Sequence, residues 1–315
     1  MCSLELRFSR PRASAQESKL MSELASIPRS VLIAGCGYAG FPAARFWQQA
    51  GAKVVAVTRS ATRAAEFAAC GLEPLVLDIT NPQPWPSLPD AELVIWSVGY
   101  DRHSGHTREA VWLHGLTRFL SRLPKTTNPR RIVLTSSTSV YGDCEGGDVD
   151  EQTPPQPEQE GGQACLAAER VLLEFAAAEG SRAIILRLSG IYGPGRLLRR
   201  LDDLRAGVPI PAEPDSWLNL VHVHDITRSL DCCARHPRPP QILNVAAAVT
   251  ATRRDYYSTL AELANVPGPV FAPPTIRGAS RSGNRRVTSI ERPRLGLDFQ
   301  HEDCRSGLLQ ALGRR

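Results

Sequence analysis

Lysine is scarce in this chain: Lys19, Lys53 and Lys125 are the only three in 315 residues. The net charge of +5 therefore rests on arginine. The arginines are scattered rather than gathered into one run, so nucleic-acid binding is not implied. A mildly basic enzyme surface and sites for phosphate-bearing ligands are equally good readings. No apolar run approaches the length of a membrane span, so no membrane role is expected. The first 28 residues lack the apolar core of a secretory signal. The eight cysteines form no C-x-x-C pair and no zinc spacing, and no metal is expected. They fit a reducing, cytoplasmic setting, with the thiols acting as small apolar side chains. No internal repeat is visible.

What is present begins at Val31. A short apolar run, 31–34, leads into Gly35-Cys36-Gly37-Tyr38-Ala39-Gly40, and an Ala-rich segment of helical character follows to residue 50. A second apolar run covers 53–57. Strand, tight turn, helix and strand in this order are the setting in which G-x-G-x-x-G holds a dinucleotide. Gly35 permits the sharp turn, Gly37 lets a pyrophosphate approach the backbone, and Gly40 lets the helix pack closely on the strand. The helix N-terminus offers free N–H groups and a positive dipole end to the phosphates.

The end of the second strand bears on the cofactor. An NAD-preferring site places Asp or Glu there for the ribose 2′-OH. This chain has Thr58-Arg59-Ser60 instead, and the next acid is Glu66. An arginine and two hydroxyls suit a 2′-phosphate, with Arg63 one helical turn on. NADP(H) is favoured and NAD(H) stays open. The other reading is an exposed basic turn. After a helix over 61–70 and a strand over 74–77, Asp78-Ile79 lies where the Asp can meet an adenine amino group or cap a turn. A fourth strand, 92–98, ends in Ser97-Val98-Gly99 and should pass beneath the cofactor. Tyr100, His103 and His106 follow, in a loop at the ligand-binding end of parallel strands; a plain solvated loop is the alternative.

A long amphipathic helix is expected over 108–123 and a fifth strand over 131–135. A Gly/Pro-rich loop should span 143–162, then a helix 164–178 and a sixth strand 183–188. Further on, a helix over 201–206, a connector over 208–214, a helix over 226–234, a strand over 241–245 and a helix over 253–263 are expected.

Four motifs in order now carry a resemblance: G-C-G-Y-A-G at 35–40, T-S-S-T-S-V-Y-G-D at 135–143, R-L-S-G-I-Y-G-P-G-R at 187–196 and N-L-V-H-V-H-D-I at 219–226. As a set they resemble the extended short-chain dehydrogenase/reductases of the NAD-dependent epimerase/dehydratase family, closest to the atypical, YeeZ-like bacterial branch. The resemblance implies an α/β protein: a Rossmann-type doubly wound parallel sheet with a smaller C-terminal substrate-binding part. Residues 1–28 would be a disordered extension, 29–190 the dinucleotide domain, and 191–315 mostly the substrate side, with 219–246 returning to the Rossmann body. The implied ligands are a nicotinamide dinucleotide and a small-molecule substrate, often a nucleotide-sugar. The helices over 108–123 and 164–178 would form a homodimer face, or simply pack on the sheet.

Carried over by position, Ser137 matches the catalytic Ser/Thr. The family's Tyr-x-x-x-Lys falls on Gly161 and Cys165, just before Ala167-Ala168-Glu169. Glycine offers no proton and a thiol no fixed positive charge. None of the six tyrosines has a lysine four residues on. The branch resembled also lacks the pair. Tyr100, His103, Tyr141 or a bound water are the remaining candidates for proton handling, Tyr141 the weakest because the matching family residue mostly packs. On the substrate side Arg196 and His222 are candidates, with Arg199, Arg281, Arg285 and Arg286 as further phosphate partners. His222 and Asp225 also have a structural reading, in which Asp225 caps the following helix. The leading expectation is an NADP(H)-dependent oxidoreductase or epimerase/dehydratase-like enzyme. Its rival is a non-catalytic NADP(H)-binding sensor.

Overall fold

The computed structural model describes residues 26–126, 128–196, 200–273 and 283–313. Most of the expected 1–28 extension, and Arg199 and Arg281, lie outside the described residues. Seven strands form one sheet: β1 (Ser30–Ala34), β2 (Lys53–Thr58), β3 (Glu73–Val76), β4 (Leu93–Trp96), β5 (Arg131–Ser137), β6 (Arg182–Leu188) and β7 (Ile242–Val245). All neighbours are parallel, in the order β3-β2-β1-β4-β5-β6-β7. The order reverses between β1 and β4, which opens a crevice at the carboxyl ends of the strands.

Parallel strands covered on both faces read as continuous apolar runs. Leu93-Val94-Ile95-Trp96 is such a run, and all four residues are buried. One face of the sheet is covered by α1 (Gly40–Gln49), α2 (Ala61–Ala69) and α6 (Val223–Arg235), through Ala43, Trp47, Phe67, Ile226 and Leu230. The other is covered by α3 (Gly115–Ser121) and α4 (Glu160–Glu179), through Leu116, Phe119, Ala168 and Leu172. A separate apolar cluster, with Tyr192, Leu204, Tyr256, Leu260 and Leu308, joins α5 (Arg200–Arg205), α7 (Arg253–Ala264) and α8 (Cys304–Ala311).

Several boundaries differ from the sequence expectation. The segment expected as one helix over 108–123 contains a π turn, Ala110–His114, before α3. In this segment Trp112 donates its Nε1–H to the carbonyl of Val98 at 2.9 Å. Helix α4 starts four residues earlier than expected, at Glu160, so Gly161 and Gly162 lie in its first turn. Inside the expected loop, Asp148–Val149 pairs with Arg286–Val287. Inside the expected connector, Ile210–Pro211 pairs with Phe271–Ala272. These partners are distant along the chain, so local patterning carries no trace of them.

A candidate dinucleotide cleft

The three glycines of the first turn meet three different constraints. Gly35 has φ +83, and a Cβ there would lie 2.4 Å from the carbonyl oxygen of Ser97. Gly40 packs so closely that a Cβ would lie 2.7 Å from the carbonyl oxygen of Gly35. At Gly37 a Cβ would meet nothing within 4 Å. Gly37 thus has no need of glycine for the fold; it borders open space. No side chain caps α1; in its first turn Phe41 N donates to the carbonyl of Gly37 at 2.9 Å and Pro42 has no N–H, which leaves the N–H of Gly40 for water or a ligand. That is the arrangement an anion needs, and the residues present fit a pyrophosphate.

Around this loop lies a cleft of about 980 Å³. All fourteen residues expected to hold the cofactor, Gly35 to Ala39, Gly40, Thr58 to Ser60, Asp78, Ile79 and Ser97 to Gly99, border it except Gly40, which sits behind the turn. The thiol of Cys36 is pushed up to about 12 by burial, against the nearby charge of Arg63, so it is inert in the loop. At the β2 end, Arg59 pairs with Asp101 at 2.7 Å. Arg63 donates to the carbonyl of Cys36 at 3.3 Å. Thr58 accepts from the backbone of Ser60, and Ser60 accepts from Arg63 N at the start of α2. Asp78 accepts from both the backbone and the hydroxyl of Thr80, at 2.9 and 2.7 Å, and so closes its own turn while bordering the cleft.

The β4–β5 side of the cleft holds Ser137, Tyr100 and His106. Ser137 is half-buried; its Oγ accepts from Ser139 N at 3.1 Å, the N-cap bond of the short helix Thr138–Tyr141. Tyr100 donates its hydroxyl to the carbonyl of His106 at 3.0 Å. His103 is exposed and lies away from the cleft lining. Tyr141 is also away from it: 1% exposed, it donates to Asn244 Oδ1 at 2.8 Å and accepts from Arg187. Burial raises its pKa. Arg187 in turn forms a buried two-point pair with Glu169, which also accepts from Ser136. Tyr141 is therefore part of a buried hydrogen-bond network.

On the substrate side Arg196 lies over the Tyr38 ring, 5.1 Å from its centroid, at the cleft edge. Arg285 borders the cleft, whereas Arg286 pairs with Asp148 outside it. His222 is fully buried and away from the cleft lining. It is the N-cap of α6, accepting from His224 N at 3.3 Å. The expected capping by Asp225 does not occur. Asp225 instead accepts from the backbone of Gln300 and His301 and pins the C-terminal segment to α6. Sequence reasoning missed Arg108, Trp112, Trp217 and Arg253 as cleft residues. For Arg108 a signal existed: it follows a strand at the ligand-binding end of the sheet. The others come from elements whose placement no local pattern gives.

Strand order and covering helices define the class, a Rossmann-fold protein. The chain belongs to the NAD-dependent epimerase/dehydratase family, whose model matches residues 31–246. It is 29% identical over 287 residues to Protein YeeZ of Escherichia coli K12, covering 87% of this chain and 97% of that relative. It is also similar to a functionally unknown conserved protein from Silicibacter pomeroyi DSS (26% identity, TM-score 0.72, 90% of this chain and 98% of the other). The UDP-glucuronic acid 4-epimerase of Bacillus cereus, solved with UDP-glucuronic acid and NAD, shares the fold at 16% identity, with TM-score 0.73 over 90% of this chain and 98% of its own. Among the described residues, no helix is long and apolar enough to cross a membrane.

Proposed function

We propose that the chain is an NADP(H)-dependent oxidoreductase or epimerase/dehydratase-like enzyme, acting on a small carbonyl or hydroxyl substrate, a nucleotide-sugar being the leading class. The observation that carries this reading is the cleft itself. An open Gly37 borders it just before a helix start that no side chain caps, and Arg59 follows strand β2 at the position where a carboxylate would select NAD. When bound, the nicotinamide supplies hydride chemistry. Gly37 and the first turn of α1 would hold its pyrophosphate, and Arg59 with Ser60 would meet the 2′-phosphate. Arg59 now pairs with Asp101; an exposed pair of this kind contributes little, so the guanidinium can be shared with a phosphate at small cost. Ser137 would donate its hydroxyl to a substrate oxygen. The known ligands of the fold neighbour, UDP-glucuronic acid and NAD, motivate the substrate class. Purified protein with NADPH and a panel of nucleotide-sugars and small carbonyls should show cofactor oxidation. Ser137→Ala should lower it about 100-fold or more; unchanged turnover in that variant would remove Ser137 from the chemistry.

One observation favours the second reading, a non-catalytic NADP(H)-binding protein. Cys165 stands at the lysine position, and burial, with the charge of Glu169, pushes its thiol up to about 12. It is neither a cation nor an acid at neutral pH. Tight NADPH binding with no turnover across the whole panel would select this reading.

A further inference from the structure

Helix α4 opens with Glu160 and Gly161, where no side chain reaches from position 161. The space beside it is taken by another residue. A Cβ at Gly161 would lie 3.5 Å from Nε and 3.6 Å from Cδ of Arg108. Arg108 comes from the segment after β4 and packs against the start of α4. Three contacts hold it there. Its guanidinium stacks on the Tyr100 ring at 4.5 Å, pairs with Glu160 at 3.1 Å, and its stem runs along Gly161. A planar group held this way has lost little freedom still to lose on binding. Its charge reaches the buried Cys165, working against the burial that raises the thiol.

Position in the sheet says what Arg108 can meet. A dinucleotide lies across the point where strand order reverses, one nucleotide on each half. Arg59 and Arg63 stand on the β1–β2–β3 half, at the adenosine end. Arg108 borders the same cleft on the β4–β5 half, with Tyr100, Trp112 and Ser137. Neither described lysine, Lys53 or Lys125, borders it. Among the described residues the single hydrogen bond of Arg108 goes to Glu160 through Nη1. Its remaining N–H donors suit hydroxyl and amide oxygens.

We propose that Arg108 holds the nicotinamide-ribose end of the cofactor, from the space that the absence of a side chain at Gly161 leaves beside it. The inference rests on the dinucleotide reading of the cleft, and it makes Arg108 a positioning residue. It also gives a physical reason for Gly161: a longer side chain there competes with Arg108 for the same room.

Calorimetric titration with NADPH and with adenosine 2′,5′-bisphosphate separates the two halves of the ligand. The full-length protein, Arg108→Ala, Arg108→Lys and Gly161→Leu are compared. Arg108→Ala should weaken NADPH about tenfold or more and leave the bisphosphate within about twofold. Arg108→Lys should fall between, and Gly161→Leu should show the same selective loss. Melting temperatures without ligand should match the parent for Arg108→Ala, which excludes a general structural effect. Equal NADPH affinity in Arg108→Ala, or an equal loss for both ligands, overturns the proposal. A parent protein that binds neither ligand overturns the dinucleotide reading itself.

Discussion

At the residue scale, two glycines in one turn meet different constraints, and the proposed cofactor site assigns one to folding and the other to binding. Gly35 combines φ +83 with a backbone oxygen 2.4 Å from its missing Cβ. Gly35→Ala therefore meets both left-handed strain and a clash with the backbone of Ser97 and Val98, just past β4, and should cost at least about 2 kcal/mol in chemical denaturation. Gly37 has no neighbour within 4 Å of its missing Cβ. Gly37→Val should leave stability within about 0.5 kcal/mol of the parent while weakening NADPH about tenfold or more, because the branch would fill the space a phosphate uses. Loss of stability in the second variant, or full binding, would refute this division of labour. The three-glycine spacing was legible in the sequence because its constraints are local. Which of them the fold itself requires to be glycine was not, since that depends on Ser97, sixty-two residues away along the chain and beside Gly35 in space.

At the scale of elements, α4 and α6 show how far side-chain roles depend on packing. Glu169 on α4 and Arg187 on β6 form a buried pair, both side chains 3% exposed, at 2.7 Å. Removing one partner leaves the other charge buried and alone, so Glu169→Ala should cost about 3–5 kcal/mol, read as a fall in the urea midpoint at unchanged slope. Around the start of α6, His222, His224 and His301 pack ring against ring, with 4.0 Å between the centroids of His222 and His301. Burial first, then the neighbouring imidazoles, lowers His222 to about 3 and His301 to about 4; burial lowers His224. These values lie below those of an unfolded histidine, near 6.5. Their contribution to stability is thus complete above about pH 6.5 and is lost as pH falls toward the folded values. Asp225, raised to about 6 by burial, acts in the opposite sense between about pH 4 and 6 and offsets one histidine. The net loss from pH 7 to pH 5 should be on the order of 2–3 kcal/mol. His301→Phe should roughly halve it; an unchanged pH dependence would show that these rings titrate elsewhere. Alternation and apolar runs disclosed the main strands and helices within a few residues. The short pairing of 148–149 with 286–287 was hidden because its two halves lie far apart along the chain.

On the scale of the whole molecule, the sheet brings two ends of one cleft together, one at the β2 end with Arg59 and one at the β4–β5 end with Ser137 and Arg108. The motifs alone gave the first end and Ser137. Arg108 lies fifty-three residues before Gly161, and no spacing rule joins them. The missing proton donor and lysine at 161 and 165 therefore do not leave that end of the cleft bare; an arginine stands in it. The nature of the cofactor is the central claim, and a thermal-shift comparison of NADPH, NADP, NADH and NAD tests it most directly. A ligand at about 100 times its Kd stabilises by about 2.7 kcal/mol, a rise of about 4 °C for a chain of this size. NADPH and NADP should reach that rise at concentrations at least about tenfold below those NADH and NAD require. A larger rise with NADH and NAD, or no rise with any of the four, would contradict the account.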